Sequence, residues 1–139
     1  MGPGRTGLAA IGQGAVVLVP FPFTDLTGHK QRPALVVSPI GIHADDVILC
    51  AITSHVPSSL SRWDVPLDAN DLLERRLPRP SVIQVAKLFT CHRSLIRGRF
   101  GTLETSKLGE VLERLRALFA GPSARSRAGH PRPSGRRTG

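Results

Sequence analysis

The sequence predicts a mainly β fold with a C-terminal α-helix, arranged as a small, strongly bent antiparallel barrel that the helix closes. Two observations predict it. Five or six short apolar stretches, rich in β-branched residues, are each bounded by Pro, Gly or polar turns. One long stretch near the end switches to a helical period. Short strands followed by a single amphipathic helix leave one sheet to curl on itself and one helix to cover it.

The elements follow in order. Residues 1–13 are Gly-rich and are expected to form a flexible N-terminal leader, too short and too weakly apolar for a signal peptide. Gly14 to Pro20 reads as the first strand, built on the continuous run Val16–Val19. Residues 21–32 form a polar loop, with Pro22 opposing strand pairing and Gly28 supplying a turn. Pro33 opens a second strand through Val37, and Ser38-Pro39-Ile40-Gly41 turns the chain. Asp46 to Thr53 is apolar almost throughout and predicts a central strand covered on both faces. Trp63 to Leu67 alternates, and Pro66 suits an edge. Asp68 is expected to cap a helical turn running to Arg76. Ser81–Leu88 and Ser94–Leu103 predict two more strands, the first with a shift of face. Thr105 is expected to cap the helix, whose apolar stripe is Leu108, Val111, Leu112, Leu115, Leu118 and Phe119. Gly121-Pro122 stops it. The folded domain is thus expected over 14–120, with a disordered basic tail over 121–139.

A chain of 139 residues fits one domain. Its net charge of +9 points to a polyanionic partner. The charge is uneven, because residues 121–139 carry five arginines and no acid. The rest holds fourteen cations against ten anions, only +4. Five Phe, one Trp and no Tyr argue against an aromatic stacking platform as the main means of binding. The two cysteines, Cys50 and Cys91, belong to no metal-ligand spacing, so neither a metal nor another cofactor is expected. No apolar run is long enough to span a bilayer, and a cytoplasmic setting without membrane contact is expected.

The loop between the first two strands gathers the reactive groups. Asp25 is a carboxylate, His29 an imidazole, Thr24 and Thr27 hydroxyls, and Lys30 and Arg32 cations. A loop held on a rigid β scaffold is where chemistry is commonly placed.

Several blocks then converge on a known family. Gly14-x-Val16-Val17-Leu18-Val19-Pro20-Phe21-Pro22, Arg32-Pro33-Ala34-Leu35-Val36-Val37, Ala51-Ile52-Thr53-Ser54, Pro80-Ser81-Val82 and Lys87-Leu88-Phe89 resemble the MazF/PemK (Kid-like) toxins of type II toxin–antitoxin systems. The resemblance runs from about Gly14 to Phe119. It implies an SH3-like small barrel of the MazF/CcdB type. It also implies a metal-independent, sequence-selective endoribonuclease (an mRNA interferase) that cuts single-stranded RNA by 2′-hydroxyl attack. The implied partners are single-stranded RNA, a cognate antitoxin and a second copy in a homodimer.

That reaction needs a base, an acid and a cation for the developing phosphorane charge. The resemblance places the family's strand-start arginine on Arg32 and its strand-end hydroxyl on Thr53. Arg32 offers a bidentate phosphate clamp, and Thr53 a hydrogen bond to phosphate. His55 and Asp25 are added as candidate base or acid. Thr24, His29, Lys30 and Ser54 are expected to bind RNA, Lys30 through the backbone phosphates. One departure stands out: some members carry an Arg and, two residues on, an Asp where this chain has Gln84 and Ala86. It motivates two alternatives, a catalytically impaired member that binds RNA or antitoxin without cutting, and a CcdB-like topoisomerase inhibitor.

Overall fold

A computed structural model describes residues 11–20, 31–42 and 44–129, and side chains within that set except those of 122–129. Six strands form one antiparallel sheet: β1 (Ala15–Pro20), β2 (Gln31–Val36), β3 (Asp46–Thr53), β4 (Asp64–Leu67), β5 (Ser81–His92) and β6 (Gly98–Thr102). Their spatial order is β4-β5-β3-β2-β1-β6. Two 3₁₀ turns, Ala69–Asp71 and Arg93–Leu95, precede β5 and β6. The helix α1 (Thr105–Gly129) follows.

Alternation along the strands sends side chains to two cores, one on each face of the sheet. Val17, Val19, Ala34, Val36, Leu49 and Ala51 join Phe89, Ile96 and Ile11 on the first face. Val16, Leu35, Cys50, Ile52, Ile83 and Val85 join Val111 of α1 on the second. The near-continuous apolar character of β1 and β3 therefore has its expected cause: both faces are buried. Ile11 is 2% exposed and Gln13 donates from Nε2 to the Val37 carbonyl at 2.9 Å, so packing begins ahead of residue 14. Gly14 then turns the chain into β1 at φ +98°, a conformation that favours glycine.

The edge strands β4 and β6 are tied together, which curls the sheet into a half-barrel. After β4, Leu72 bridges Leu103, Leu73 N–H donates to Thr102 O, and Glu104 N–H donates to Asp71 O at 2.7 Å. Glu74 fastens the same seam. It accepts from Thr102 N at 2.7 Å, from Thr102 Oγ1 and from Arg99 Nη1, both at 3.1 Å. Partial desolvation pushes the Glu74 carboxyl up. The hydrogen bonds from Arg99 and Thr102 and the Arg99 charge outweigh it and hold the carboxyl below its ordinary value. A depressed carboxyl contributes stability above its unfolded pKa and loses it as pH falls through the folded one. The stability gap between the wild type and Glu74→Gln should therefore be fully open at neutral pH and narrow only as pH falls below the ordinary glutamate value of about 4.3, as read by urea midpoints. A gap that stays constant with pH would refute this role.

Several local expectations are corrected. β2 starts at Gln31, two residues before Pro33, because Gln31 and Arg32 pair with Pro20 and Val19 of β1. The helix is capped by Glu104 and not by Thr105: Leu108 N–H donates to Glu104 O, and Glu104 Oε1 accepts from Lys107 N at 3.2 Å. A carboxylate at that position meets the exposed N–H groups and the positive end of the helix dipole. Phe119, read as part of the buried stripe, is 74% exposed. The 68–76 helical turn is a single 3₁₀ turn over Ala69–Asp71. In α1, Gly121 breaks the helix at φ 74°, ψ 158°, and helical backbone resumes to Gly129. Residues 1–10 of the expected leader and 130–139 of the expected tail lie outside the described residues.

Candidate functional site

The site is set by a proline. The β2–β3 ladder runs Val36↔Leu49, Leu35↔Cys50, Ala34↔Ala51, and pairs no further. Pro33 comes next, and it has no N–H to extend a ladder. Continuing the register brings Arg32 opposite Thr53, side by side at one end of the sheet. Both are in phase with the first core, Arg32 with Ala34 and Val36, Thr53 with Leu49 and Ala51. The ladder itself stops at Ala34↔Ala51, so this placement is the continuation of its register, with the strand ends no longer stitched between the two residues.

Arg32 is half-buried, and its Nε, fully enclosed, has no hydrogen-bond partner among the described residues. A buried donor left unpaired costs about 1–3 kcal/mol, which an anion seated there would recover. Thr53 Oγ1 accepts from the His55 N–H at 3.0 Å. With one lone pair so engaged, the hydroxyl proton remains available to donate to a phosphate oxygen. His55 itself is exposed. Ser54 is exposed too and lines a cleft on the opposite face of the sheet. Thr24, Asp25, His29 and Lys30 lie outside the described residues.

The second wall behaves differently. Gln84 pairs with Ala51 across β3–β5 and is half-buried near Thr53. The register then shifts between Cys50 and Ala51, skipping Val85 to Lys87 of β5. Ala86 and Lys87 are exposed at that irregularity. His92 and Arg93, close to the family blocks in sequence, are remote in space. His92 pairs with Asp46 at the opposite end of β3, seven residues or roughly 23 Å from Thr53. There its Nδ1 accepts from the Ser94 N–H at 3.1 Å.

Neither thiol offers a nucleophile. Burial pushes the Cys50 thiol up to about 12, and burial with the Asp46 charge raises that of Cys91. Among the described residues, no three His, Cys, Asp or Glu side chains form a metal cluster. No described helix is long and apolar enough to cross a membrane.

The cleft on the second face was missed in the sequence. It is about 220 Å³ and is lined by Pro33, Ile52, Ser54, Pro78, Arg79 and Phe100, among others. The only signal for it was a single Phe between two glycines in the β6 pattern.

Comparison with known proteins agrees with this architecture. The family described as "PemK-like, MazF-like toxin of type II toxin-antitoxin system" matches residues 12–119. No curated protein matches the sequence. Among solved structures, a MazF from Deinococcus radiodurans superposes with a TM-score of 0.60 at 21% identity, covering 80% of this chain and 97% of that one. The Mycobacterium tuberculosis toxin MazF-mt6 gives 0.58 at 21% identity, covering 76% and 95%. An endoribonuclease from a mycobacterial species, solved in complex with its cognate antitoxin, gives 0.59 at 17% identity, covering 89% and 100%. At these identities the structural likeness is one of fold. The family match spans nearly the whole described domain, and on that ground the chain belongs to the PemK-like, MazF-like toxins of type II toxin–antitoxin systems.

Proposed function

We propose that this toxin is a metal-independent, sequence-selective endoribonuclease acting on single-stranded RNA, held in check by a cognate antitoxin and working as a cytoplasmic homodimer. The observation that carries the reading is the enclosed Arg32 Nε, which lacks a partner among the described residues, at the strand end where the β2–β3 register, extended two residues past its last pair Ala34↔Ala51, runs toward Thr53. A phosphodiester fits both groups. The guanidinium takes a nonbridging oxygen and its developing charge, and the Thr53 hydroxyl donates to the same phosphate.

The chemistry balances without a cofactor. The RNA 2′-oxygen forms a bond to the adjacent phosphorus and gives up its proton to a base. The phosphorus–O5′ bond breaks, and the 5′-oxygen takes a proton from an acid. The products are a 2′,3′-cyclic phosphate and a 5′-hydroxyl. His55 and Asp25 are the candidates for the two proton transfers, and Thr24, His29, Lys30 and Ser54 for holding the flanking RNA. The purified protein should cut single-stranded RNA with a chelator present and leave those ends. Cleavage that requires added metal, or ends of the other polarity, would refute the mechanism.

A second reading rests on the other wall. Gln84 supplies an amide and Ala86 a methyl where some members carry Arg and Asp, so no titratable pair stands there. A chain that binds RNA but never cuts it would fit this reading instead.

A further inference from the structure

We infer that the cleft on the second face of the sheet holds one nucleobase flanking the scissile phosphate and so sets a base preference. The inference rests on the endoribonuclease reading and extends it to a subsite that includes residues outside the Arg32–Thr53 face.

Chain connectivity joins the cleft to the site. Pro33 and Ser54, which line it, are the immediate neighbours of Arg32 and Thr53. Successive residues of a strand point to opposite faces about 3.8 Å apart along the chain. The phosphate clamp and the cleft therefore occupy the two sides of one sheet rim. A strand of RNA crossing that rim presents a phosphate to Arg32 and can fold an adjoining base over the edge.

The size and chemistry favour a base. A volume of about 220 Å³ falls below the ~300–1,000 Å³ of sites that enclose a drug-sized molecule. It suits one planar ring system. The lining is mostly apolar, with the Phe100 ring as its one aromatic group. The Arg75 guanidinium lies over that ring, 4.5 Å from its centroid, and steadies it. Arg79, exposed, adds a cation and a planar donor fork to the lining. Ser81 Oγ donates to the Arg79 carbonyl at 3.2 Å, tying the segment that carries Arg79 to the start of β5. Sequence-specific recognition of RNA commonly uses such elements, with splayed single-stranded bases stacked on aromatic rings or guanidinium planes.

Two measurements test this. Adenosine, guanosine, cytidine and uridine are titrated separately into the isotope-labelled protein, following the resonances of Phe100 and Ser81. Cleaved RNA ends from the wild type, Arg79→Ala and Phe100→Leu are sequenced. The leucine keeps the apolar volume, and Arg79 is exposed, so both variants should fold. At least one nucleoside should shift both resonances. Each variant should relax the base preference at one position beside the cut by about tenfold or more. An unchanged preference with no nucleoside shift would overturn the inference and leave the cleavage reading intact. So would variants that alter the oligomeric mass or antitoxin binding but not the preference, since the cleft would then be a protein contact. If the wild type cuts no RNA, the cleavage reading fails and the nucleoside titration alone decides the cleft.

Discussion

Replacing Arg32 with alanine should lower the rate of RNA cleavage by at least about 10²-fold, the scale on which removal of one preorganised transition-state donor is felt. The guanidinium sits on β2 two residues before Ala34, whose pairing with Ala51 sets the register that runs on toward Thr53. Arg32→Lys should recover part of the rate. It keeps the charge but loses the planar fork that holds two oxygens at once. The fold should be indifferent to Arg32→Ala, because the enclosed Nε has no partner to lose among the described residues. Single-turnover cleavage and thermal unfolding measured side by side check this. Full activity in the variant would remove Arg32 from the site. A large fall in unfolding temperature would mark it as a structural residue.

Leu35→Ala should have the opposite profile. Leu35 is fully buried in the second core, beside Val16 of β1 and Cys50 of β3. Truncation removes its transfer free energy and leaves a cavity in a sheet that cannot close over it. A loss of about 2–5 kcal/mol is expected, or a drop in unfolding midpoint of roughly 10 °C. Denaturant unfolding checks it. A loss under about 1 kcal/mol would mean that the sheet repacks. Because Leu35 lies three residues from Arg32 on the same strand, residual cleavage at low temperature should survive in the folded fraction.

Much of the architecture was legible in the chain. The runs at Val16–Val19, Ala34–Val37 and Asp46–Thr53 became β1, β2 and β3 because apolar, β-branched residues bounded by turns have few other ways to be buried. Pro66 marked the edge strand β4 correctly, since an edge leaves one side of the strand unpaired. Leu108, Val111, Leu112, Leu115 and Leu118 face the second core as their spacing requires. Phe119 does not, because a stripe in the sequence says nothing of where the sheet beneath the helix stops.

Local pattern therefore determined the elements, their order and the two-sided burial of the central strands, since propensity and periodicity act over a few residues. The long-range contacts needed the folded chain. The seam that joins Leu72 to Leu103 and Glu74 to Thr102 links residues about thirty apart, with no short-range signal. The same holds for the β2–β3 register, which pairs Ala34 with Ala51 near the strand ends that carry Arg32 and Thr53, and for the cleft that gathers Pro33, Ser54, Arg79 and Phe100. Each depends on which strand ends meet when the sheet curls, and that is settled by packing over the whole domain.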